Sequence, residues 1–261
     1  MLSTKLLWRK PLAFARLSVR TFSSPNVGKN MEDIVKSYKR KSWHDQDSFS
    51  RILKMASYGI EAIRDPTKGD IVAKVGDLSG TKALKNIRSK MLADKTGRQI
   101  LEERPRIKED SVFFDRLGQM DENSVGYHYW KFMAKYDFTP DERPVATYVP
   151  DMELAYIMQR YKECHDFLHT LLGMGISIED ELAVKAFEMV QTGIPMCAFS
   201  LITGPFLLKP LEMKKLYIDY LPWVTKMALT SRFFMNIYFE KHFEQDVDEF
   251  RRECGVSPWS K

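Results

Sequence analysis

Apolar residues beyond Asn30 recur mostly at intervals of three and four positions, which is the period of an α-helix. This spacing predicts a short helical turn within 95–107, a proline-marked loop over 138–150, and helices near residues 43–65, 81–94, 109–118, 122–136, 151–172, 211–229 and 231–253. Convincing strand alternation is scarce. The pattern therefore predicts an all-α fold, with one multi-helix domain over residues 30–261.

The helix over 151–172 has the clearest pattern, because six apolar residues form a stripe along it and His165 falls on the same stripe; they are Leu154, Ile157, Met158, Tyr161, Leu168 and Leu172. The stretch "GMGIS" then breaks the helix, since its glycines supply a C-cap and a turn. Ser177 is expected to start the next helix, with Asp180 as its capping-box partner. The two helices should fold back on each other.

Composition and charge add a prediction for the N-terminus. The 261 residues are 44% hydrophobic and 29% charged, as expected of a globular protein, and the net charge is +5. Residues 1–22 hold five basic residues and no acidic one, so the rest of the chain has as many acidic as basic residues. This balance excludes a basic nucleic-acid-binding surface. Segment 1–22 is rich in Arg, Leu and hydroxyl residues, which is typical of a mitochondrial targeting peptide cleaved after Phe22, although a disordered basic tail would have the same composition.

The chain has three cysteines, Cys164, Cys197 and Cys254, without CxxC spacing. Their odd number argues against a set of disulfides. We expect buried thiols in a reducing compartment.

A candidate metal site lies in the stretch "HDFLHTLLGMGISIEDE". His165 and His169 stand four residues apart on one helical face, and Asp166 lies on the adjoining arc. The glycine break allows Glu181, in the first turn of the next helix, to approach them. Imidazole nitrogens with carboxylate oxygens suit Zn²⁺, and Mn²⁺ or Fe²⁺ would accept the same ligand types.

Each of these residues also has an ordinary structural explanation. His165 could be a hydrogen-bonded core histidine and His169 an exposed polar residue. Asp166 could pair with a nearby Lys or Arg, and Glu181 could form an ion pair with Lys185, four residues on. All four explanations would have to hold together for the metal hypothesis to fail.

The same residues carry a resemblance. The motif HDxxH followed by eleven residues and Glu, formed by His165, Asp166, His169 and Glu181, resembles the zinc motif of a mitochondrial ubiquinone (coenzyme Q) biosynthesis family, the fourth of the numbered Coq proteins. The surrounding stretches "ELAYIMQRYKECHDFLHTLLGM", "VKAFEMVQTGIPMC", "GRQILEERPRI", "GPFLL" and "LPW" are similar to the family and stand in its order. Asp180 is a departure, because the family usually has Gly there.

The resemblance implies a function. Such a protein would be a carboxy-lyase that removes the C1 carboxyl group from a 4-hydroxy-3-methoxy-5-polyprenylbenzoate and leaves 2-methoxy-6-polyprenylphenol. It would lie on the matrix side of the mitochondrial inner membrane as a peripheral membrane protein, in contact with lipid. It would help to organise a multi-subunit complex of ubiquinone-biosynthesis enzymes. The expected cofactor is Zn²⁺, or another divalent metal, and no flavin or nicotinamide fingerprint is present.

Two apolar stretches bear on the prenylated substrate. Residues 189–208 carry no charge, but polar residues, glycines and prolines interrupt them. A buried core helix is therefore expected rather than a membrane span, with a tail-binding or membrane-dipping segment as the alternative. The aromatic cluster of Phe233, Phe234, Tyr238 and Phe239 is likewise expected in the core, with lipid contact as the alternative.

Two other functions fit parts of the motif. The chain could be a non-catalytic lipid-binding scaffold of the complex, in which four protein ligands hold a structural zinc ion. It could instead be a metal-dependent phosphohydrolase of the HD class, which needs a further upstream histidine. His128 is available for that role, but no motif surrounds it.

Overall fold

The structure is a computed structural model, and it describes residues 80–143, 145–146, 149 and 151–260. The predicted targeting peptide and the predicted helix over 43–65 lie outside these residues. The helices are α1 Thr81–Ala93, α2 Lys95–Glu103, α3 Glu109–Val112, α4 Phe114–Leu117, α5 Val125–Tyr136, α6 Met152–Leu172, α7 Ile178–Thr192, α8 Pro195–Thr203, α9 Pro210–Lys214, α10 Leu221–Thr230 and α11 Val247–Cys254.

Short turns of tighter or wider helix connect these elements. They are 3₁₀ turns at Pro140–Glu142, Gly204–Leu207, Phe234–Asn236 and Phe239–Lys241, and a π-helical turn at Lys215–Tyr220. Within the described residues there is no strand, only an isolated bridge between Ser124 and Asp246. The all-α prediction is confirmed.

Helix α6 forms the centre of the fold. Every residue from Leu154 to Leu172 is buried, because α1, α5, α7 and the Phe234–Asn236 turn pack around it. A helix buried on all sides usually consists of apolar residues, yet α6 carries several ionisable groups. These ionisable groups can therefore be buried only if the surrounding segments neutralise them or form hydrogen bonds with them.

Surrounding segments provide such partners. Arg160 is fully buried and forms an ion pair with Glu240, with Nη2 2.8 Å from Oε2. Glu163 accepts from the Arg106 guanidinium at 2.8 Å and from the Ile107 amide at 3.0 Å. Removing one partner of such a pair leaves a buried charge without compensation, so these contacts fix how α6 sits in the fold.

The predicted glycine end of α6 and the Ser177 cap of α7 are present, whereas Asp180 does not complete a capping box and accepts from the Tyr220 hydroxyl instead. The Asp151 carboxylate caps α6 by accepting from the Glu153 and Leu154 amides. Gly173 ends it with φ of 70°, and Met174 N donates to His169 O at 2.9 Å, which completes a Schellman motif. Ser177 Oγ then caps α7.

The predicted helix over 231–253 is wrong, since only Val247–Cys254 is helical there. Two 3₁₀ turns, Phe234–Asn236 and Phe239–Lys241, stand there instead, and their segment also bonds to side chains that are distant in sequence. The Phe234 amide donates to Gln191 Oε1 at 2.9 Å, while Gln191 Nε2 donates to Ala228 O at 3.1 Å. Arg160 Nη2 donates to Ile237 O at 3.3 Å.

These turns bury the predicted aromatic cluster. Phe234 and Phe239 are fully buried and Tyr238 nearly so, which confirms their assignment to the core, while Phe233 is half-buried. The three cysteines are also buried and free. The predicted helical turn near residue 100 is longer than expected, because Asp94 caps the nine-residue α2.

The predicted core helix over 189–208 is wrong. Gly193, with φ of 68°, ends α7, and Pro195 starts α8, of which only Cys197 is buried. A further 3₁₀ turn then follows at Gly204–Leu207. Across residues 80–143 and 151–260, no helix combines the length and the apolar character that a membrane crossing would need.

Candidate metal centre

Three of the four predicted ligand side chains meet between α6 and α7. His165 Nε2 and His169 Nε2 are 3.2 Å apart. Glu181 approaches both, with Oε1 3.4 Å from His165 Nε2 and Oε2 3.1 Å from His169 Nε2. Each residue offers one ligand atom, and these atoms lie within 4.8 Å of one another, so the group could hold a metal ion.

The other nitrogen of each histidine is held by an acceptor. His165 Nδ1 lies 2.6 Å from Glu188 Oε1, and His169 Nδ1 lies 2.8 Å from the Gly175 carbonyl oxygen. A carbonyl or an ionised carboxylate can only accept, so we infer that both Nδ1 atoms carry a hydrogen. The Lys185 ammonium is also 3.3 Å from His165 Nδ1, but it makes a shorter contact, 2.9 Å, with Glu188 Oε2. In the neutral imidazoles both Nε2 atoms therefore present lone pairs. This is the outer-shell arrangement that metal-binding histidines usually have.

The two Nε2 atoms and the Glu181 carboxylate thus present only acceptor atoms to one another. Glu181 Oε1 is buried and makes no hydrogen bond with the described residues. Buried acceptors that face one another are unfavourable unless a proton or a cation lies between them. Two imidazole nitrogens and a carboxylate oxygen are ligands that Zn²⁺ accepts. The residues fit a divalent metal.

A proton is the competitor for the same position. Burial and the Lys185 ammonium lower the pKa of His165, but the carboxylates of Glu181 and Glu188 outweigh them and raise it above the ordinary histidine value. Burial works to raise the pKa of Glu181, yet His165 and Lys185 hold it well below the usual range. The site therefore attracts positive charge even without a metal.

Asp166, the fourth predicted ligand, points elsewhere. Its carboxylate forms a two-pronged ion pair with Arg143, and Arg143 Nε lies 3.0 Å from Asp166 Oδ2. It follows His165 directly on α6, so its side chain leaves the helix about 100° around the axis from His165. The structure does not bring it into the group formed by His165, His169 and Glu181.

The ordinary explanations are partly realised beside the metal geometry. His165 does have a core hydrogen bond, to Glu188. Glu181 does lie near Lys185, at 3.7 Å. His169 is 2% exposed, so it is no surface residue, and its ring stacks on that of Phe132. None of these contacts occupies the space between the two Nε2 atoms.

Behind His165 lies a buried polar network centred on Glu188. Its carboxylate accepts from the Tyr161 hydroxyl at 2.5 Å and from Lys185 Nζ at 2.9 Å, and the Cys197 thiol lies 3.4 Å away. Burial alone would raise the pKa of Glu188, but Lys185 and His165 lower it to about 2. Glu188 therefore stays ionised at neutral pH and continues to accept from His165.

Glu188 was not among the predicted site residues. A signal was present, since Glu181, Lys185 and Glu188 are spaced by four and three residues along α7 and therefore share a face. The Gly175 carbonyl was not recognised either. The glycine break thus both ends α6 and orients His169.

His128, the candidate of the phosphohydrolase hypothesis, lies in the first turn of α5. Burial and then Arg251 lower its pKa. In the part of the chain that the structure describes, it belongs to no group of three or more potential metal ligands.

Comparison with known proteins identifies the family. The sequence profile of the family described as "Coenzyme Q (ubiquinone) biosynthesis protein Coq4" matches residues 42–260. The chain belongs to the Coq4 family. The resemblance found from the motif is thereby confirmed.

Relatives within the Coq4 family are similar over most of the chain. The ubiquinone biosynthesis protein COQ4 of Kluyveromyces lactis, named mitochondrial, is 39% identical over 211 residues, which is 80% of this chain and 64% of that protein. The mitochondrial COQ4 homolog of Aedes aegypti is 41% identical over 206 residues, 79% of this chain and 75% of that protein. The matched part thus spans about two thirds to three quarters of these Coq4 proteins.

A solved structure shares the fold. A crystal structure of a Nostoc punctiforme protein, named for ubiquinone biosynthesis, superposes with a TM-score of 0.63 at 19% identity. The match covers 78% of this chain and 97% of the other.

Proposed function

We propose that this Coq4-family chain is a metal-dependent carboxy-lyase that acts on a prenylated hydroxybenzoate. The reaction is removal of the C1 carboxyl group from 4-hydroxy-3-methoxy-5-polyprenylbenzoate to give 2-methoxy-6-polyprenylphenol. His165, His169 and Glu181 would hold the divalent ion, most suitably Zn²⁺. The observation that carries the proposal is the convergence of one acceptor atom from each of these three residues, together with a buried Glu181 Oε1 to which no described residue donates a hydrogen bond.

The number of converging ligands favours an enzyme over a structural site. Structural zinc sites in proteins are closed by four protein ligands, whereas catalytic sites have three and keep a position for water or substrate. Asp166 would have been the fourth ligand, but Arg143 holds its carboxylate. The donor set therefore supports an open site, and it disfavours the scaffold with a closed structural zinc.

The charges around the site suit an anionic substrate. Glu181 and Glu188 carry two negative charges against the one positive charge of Lys185. A bound divalent ion would supply Lewis-acid binding of the substrate's carboxylate or phenolate. The surroundings then carry a net positive charge, which favours an acid over a neutral phenol. This difference would also help the product to leave.

The chemistry requires little further from the protein. The 4-hydroxyl lies para to the carboxyl group, so its electron density favours protonation of the ring carbon that loses CO₂. One C–C bond breaks, one C–H bond forms, and one proton is taken up. Glu181 and Asp166 are poorly suited to deliver that proton, since the pKa of Glu181 is held well below its usual range and Asp166 is paired with Arg143. We propose solvent water as the source.

The family membership supports a proposal for the cellular setting. We propose that the chain acts in mitochondria, as the names of its relatives state for them, with residues 1–22 as targeting peptide. It would lie as a peripheral protein on the matrix side of the inner membrane. It would work in a complex with other ubiquinone-biosynthesis enzymes and help to organise it.

The decisive experiment is a CO₂-release assay on the purified full chain. The protein is loaded with zinc and given detergent-solubilised prenylated acid in D₂O. We expect CO₂ and a phenol that carries deuterium at the former carboxyl carbon. His169→Ala should lose both zinc and activity, whereas Asp166→Asn, which keeps the side-chain shape, should retain zinc.

The competing function gives a different result. A scaffold with a structural metal would bind zinc, lose it in His169→Ala, and release no CO₂ from the prenylated acid. Elemental analysis of the same samples separates the two results. Equal zinc in wild type and His169→Ala would remove the metal site itself.

A further inference from the structure

A cluster of large apolar side chains is exposed on one stretch of the chain. It runs from the end of α8 through α9 into the π-helical turn, and we call it the 202–218 surface. Phe206 is 85% exposed, Leu211 81% and Ile218 64%, and Ile202, Leu207 and Tyr217 accompany them. Single exposed apolar residues are common, but six of them within one segment of 17 residues point to an interaction site.

The fold keeps these side chains outside by anchoring the opposite side of the segment. Pro205, Leu216 and Tyr220 are buried. A Cβ atom at Gly204 would lie 2.4 Å from the Leu182 side chain, so the backbone of the surface rests directly on α7. The outward side chains are thus held out by the same segment whose inner side chains pack into the core.

Positive charge accompanies the apolar residues. Lys209 and Lys214 are exposed and Lys215 is half-buried. Glu212 is one acid among them; it accepts from the Lys209 amide at 2.9 Å, and its other oxygen lies 3.8 Å from Lys209 Nζ. Asp219 follows at the edge, so the lysines still outnumber the acids.

We propose that the 202–218 surface docks the protein on a bilayer that contains anionic phospholipid. Exposed apolar side chains and exposed lysines on the same segment match the acyl and headgroup layers of such a membrane. A second copy of the chain is a poorer occupant, because a two-fold contact through this patch would bring like-charged lysines together.

The surface is joined to the candidate metal centre through the first turn of α7. Tyr220 donates to Asp180 Oδ1 at 2.8 Å, and Lys215 Nζ lies 3.4 Å from Glu179 Oε1. Leu182 contacts Gly204. Glu179, Asp180 and Leu182, which make these contacts on the α7 side, flank Glu181 in the sequence. Docking here would place the metal centre close to the membrane, where a substrate with a polyprenyl tail resides; that last step rests on the proposed function, while the docking itself does not.

The test is a vesicle flotation assay on the full chain, with vesicles of phosphatidylcholine alone and of phosphatidylcholine with cardiolipin. The double variant Phe206→Ser/Leu211→Ser removes two exposed side chains from the surface. The matched control, Phe113→Ser/Leu229→Ser, also replaces one exposed Phe and one exposed Leu. Leu229 lies beside the other end of α7, because the carbonyl of the preceding residue, Ala228, accepts a hydrogen bond from Gln191 in the last turn of that helix. Any contribution of the basic N-terminus is the same in all proteins.

We expect the surface variant to bind cardiolipin vesicles at least about tenfold more weakly than wild type and the control to bind like wild type. Lys209→Gln/Lys214→Gln should lose about fivefold per lysine on cardiolipin vesicles and little on phosphatidylcholine alone. Zinc content should be unchanged in every variant, which checks folding.

Several results would overturn docking. Equal flotation of wild type and the surface variant would do so. A change of wild-type oligomeric state in the surface variant, without a change in flotation, would assign the patch to contact between copies. Loss of CO₂ release in detergent, with flotation intact, would instead refute only the proposed function.

Discussion

Replacement of Glu188 tests whether the buried network behind His165 tunes the metal centre. Glu188 accepts a charge-assisted hydrogen bond from His165 Nδ1 at 2.6 Å, which fixes the tautomer and the ring orientation. Gln has nearly the same shape and keeps one acceptor oxygen but loses the charge. Met removes the acceptor as well. The two substitutions therefore separate the contribution of charge from that of the hydrogen bond.

Loss of an outer-shell partner of a metal-binding histidine typically costs 10–100-fold in affinity, or about 1.4–2.8 kcal/mol. We expect Glu188→Gln near the lower value and Glu188→Met near the upper one. Stability should fall too, because Lys185 loses its ionised partner at 2.9 Å. Glu181 remains 3.7 Å from Lys185, so this loss should be about 2 kcal/mol rather than the 3–5 of a fully broken buried pair.

The assay is competition for zinc between the full chain and a chromophoric chelator, with urea unfolding of the zinc-free proteins beside it. Glu163→Gln is the matched control, since Glu163 is equally buried on α6 and pairs with Arg106 without touching the metal centre. It should lose stability but bind zinc like wild type. Wild-type zinc affinity in Glu188→Met, or an equal loss of affinity in Glu163→Gln, would refute the reasoning.

Three further outcomes are expected. Gly173→Ala should lower the free energy of unfolding in urea by about 1–2 kcal/mol, because φ is 70° and the new Cβ would lie 3.2 Å from Pro258. Gly193→Ala, with φ of 68° and no neighbour within 4 Å, should lower it less. A larger loss for Gly193→Ala would contradict this. Arg160→Met should cost about 3 kcal/mol by leaving Glu240 without its buried partner, and a stable variant would count against that pair. Chelation of zinc held at 100 times its Kd should lower the free energy of unfolding by about 2.7 kcal/mol; identical melting curves with and without chelator would argue against a bound metal.

Local sequence signals were enough for the helices that carry the metal centre. Asp151 and Gly173 mark the two ends of α6 through their capping chemistry, and Ser177 marks the start of α7. The Asp180 carboxylate accepts from Tyr220, so only the Ser177 half of the predicted capping box is present. Helical spacing then brings His165 and His169 together without any tertiary information.

Long-range contacts explain what the sequence could not predict. The tail over 231–253 has helical spacing, but its backbone forms turns in which the Phe234 amide donates to Gln191 and the Ile237 carbonyl accepts from Arg160. Asp166 could not be separated from the ligands, because its partner Arg143 lies 23 residues upstream in a loop. Glu188 shares a face with Glu181, yet its contact with His165 depends on how α6 and α7 pack. Such contacts join segments far apart in the chain, so local periodicity does not reveal them.

Burial of the two imidazoles has a kinetic consequence. The side chains of His165 and His169 are 7% and 2% exposed, whereas that of Glu181 is 20% exposed. Among these described residues the carboxylate is the most exposed ligand, so we expect an ion to reach the histidines past Glu181, at the first turn of α7. Exchange of metal in the folded protein should be slow and should quicken when that turn frays. Loading during refolding would then be much faster than loading of the finished fold.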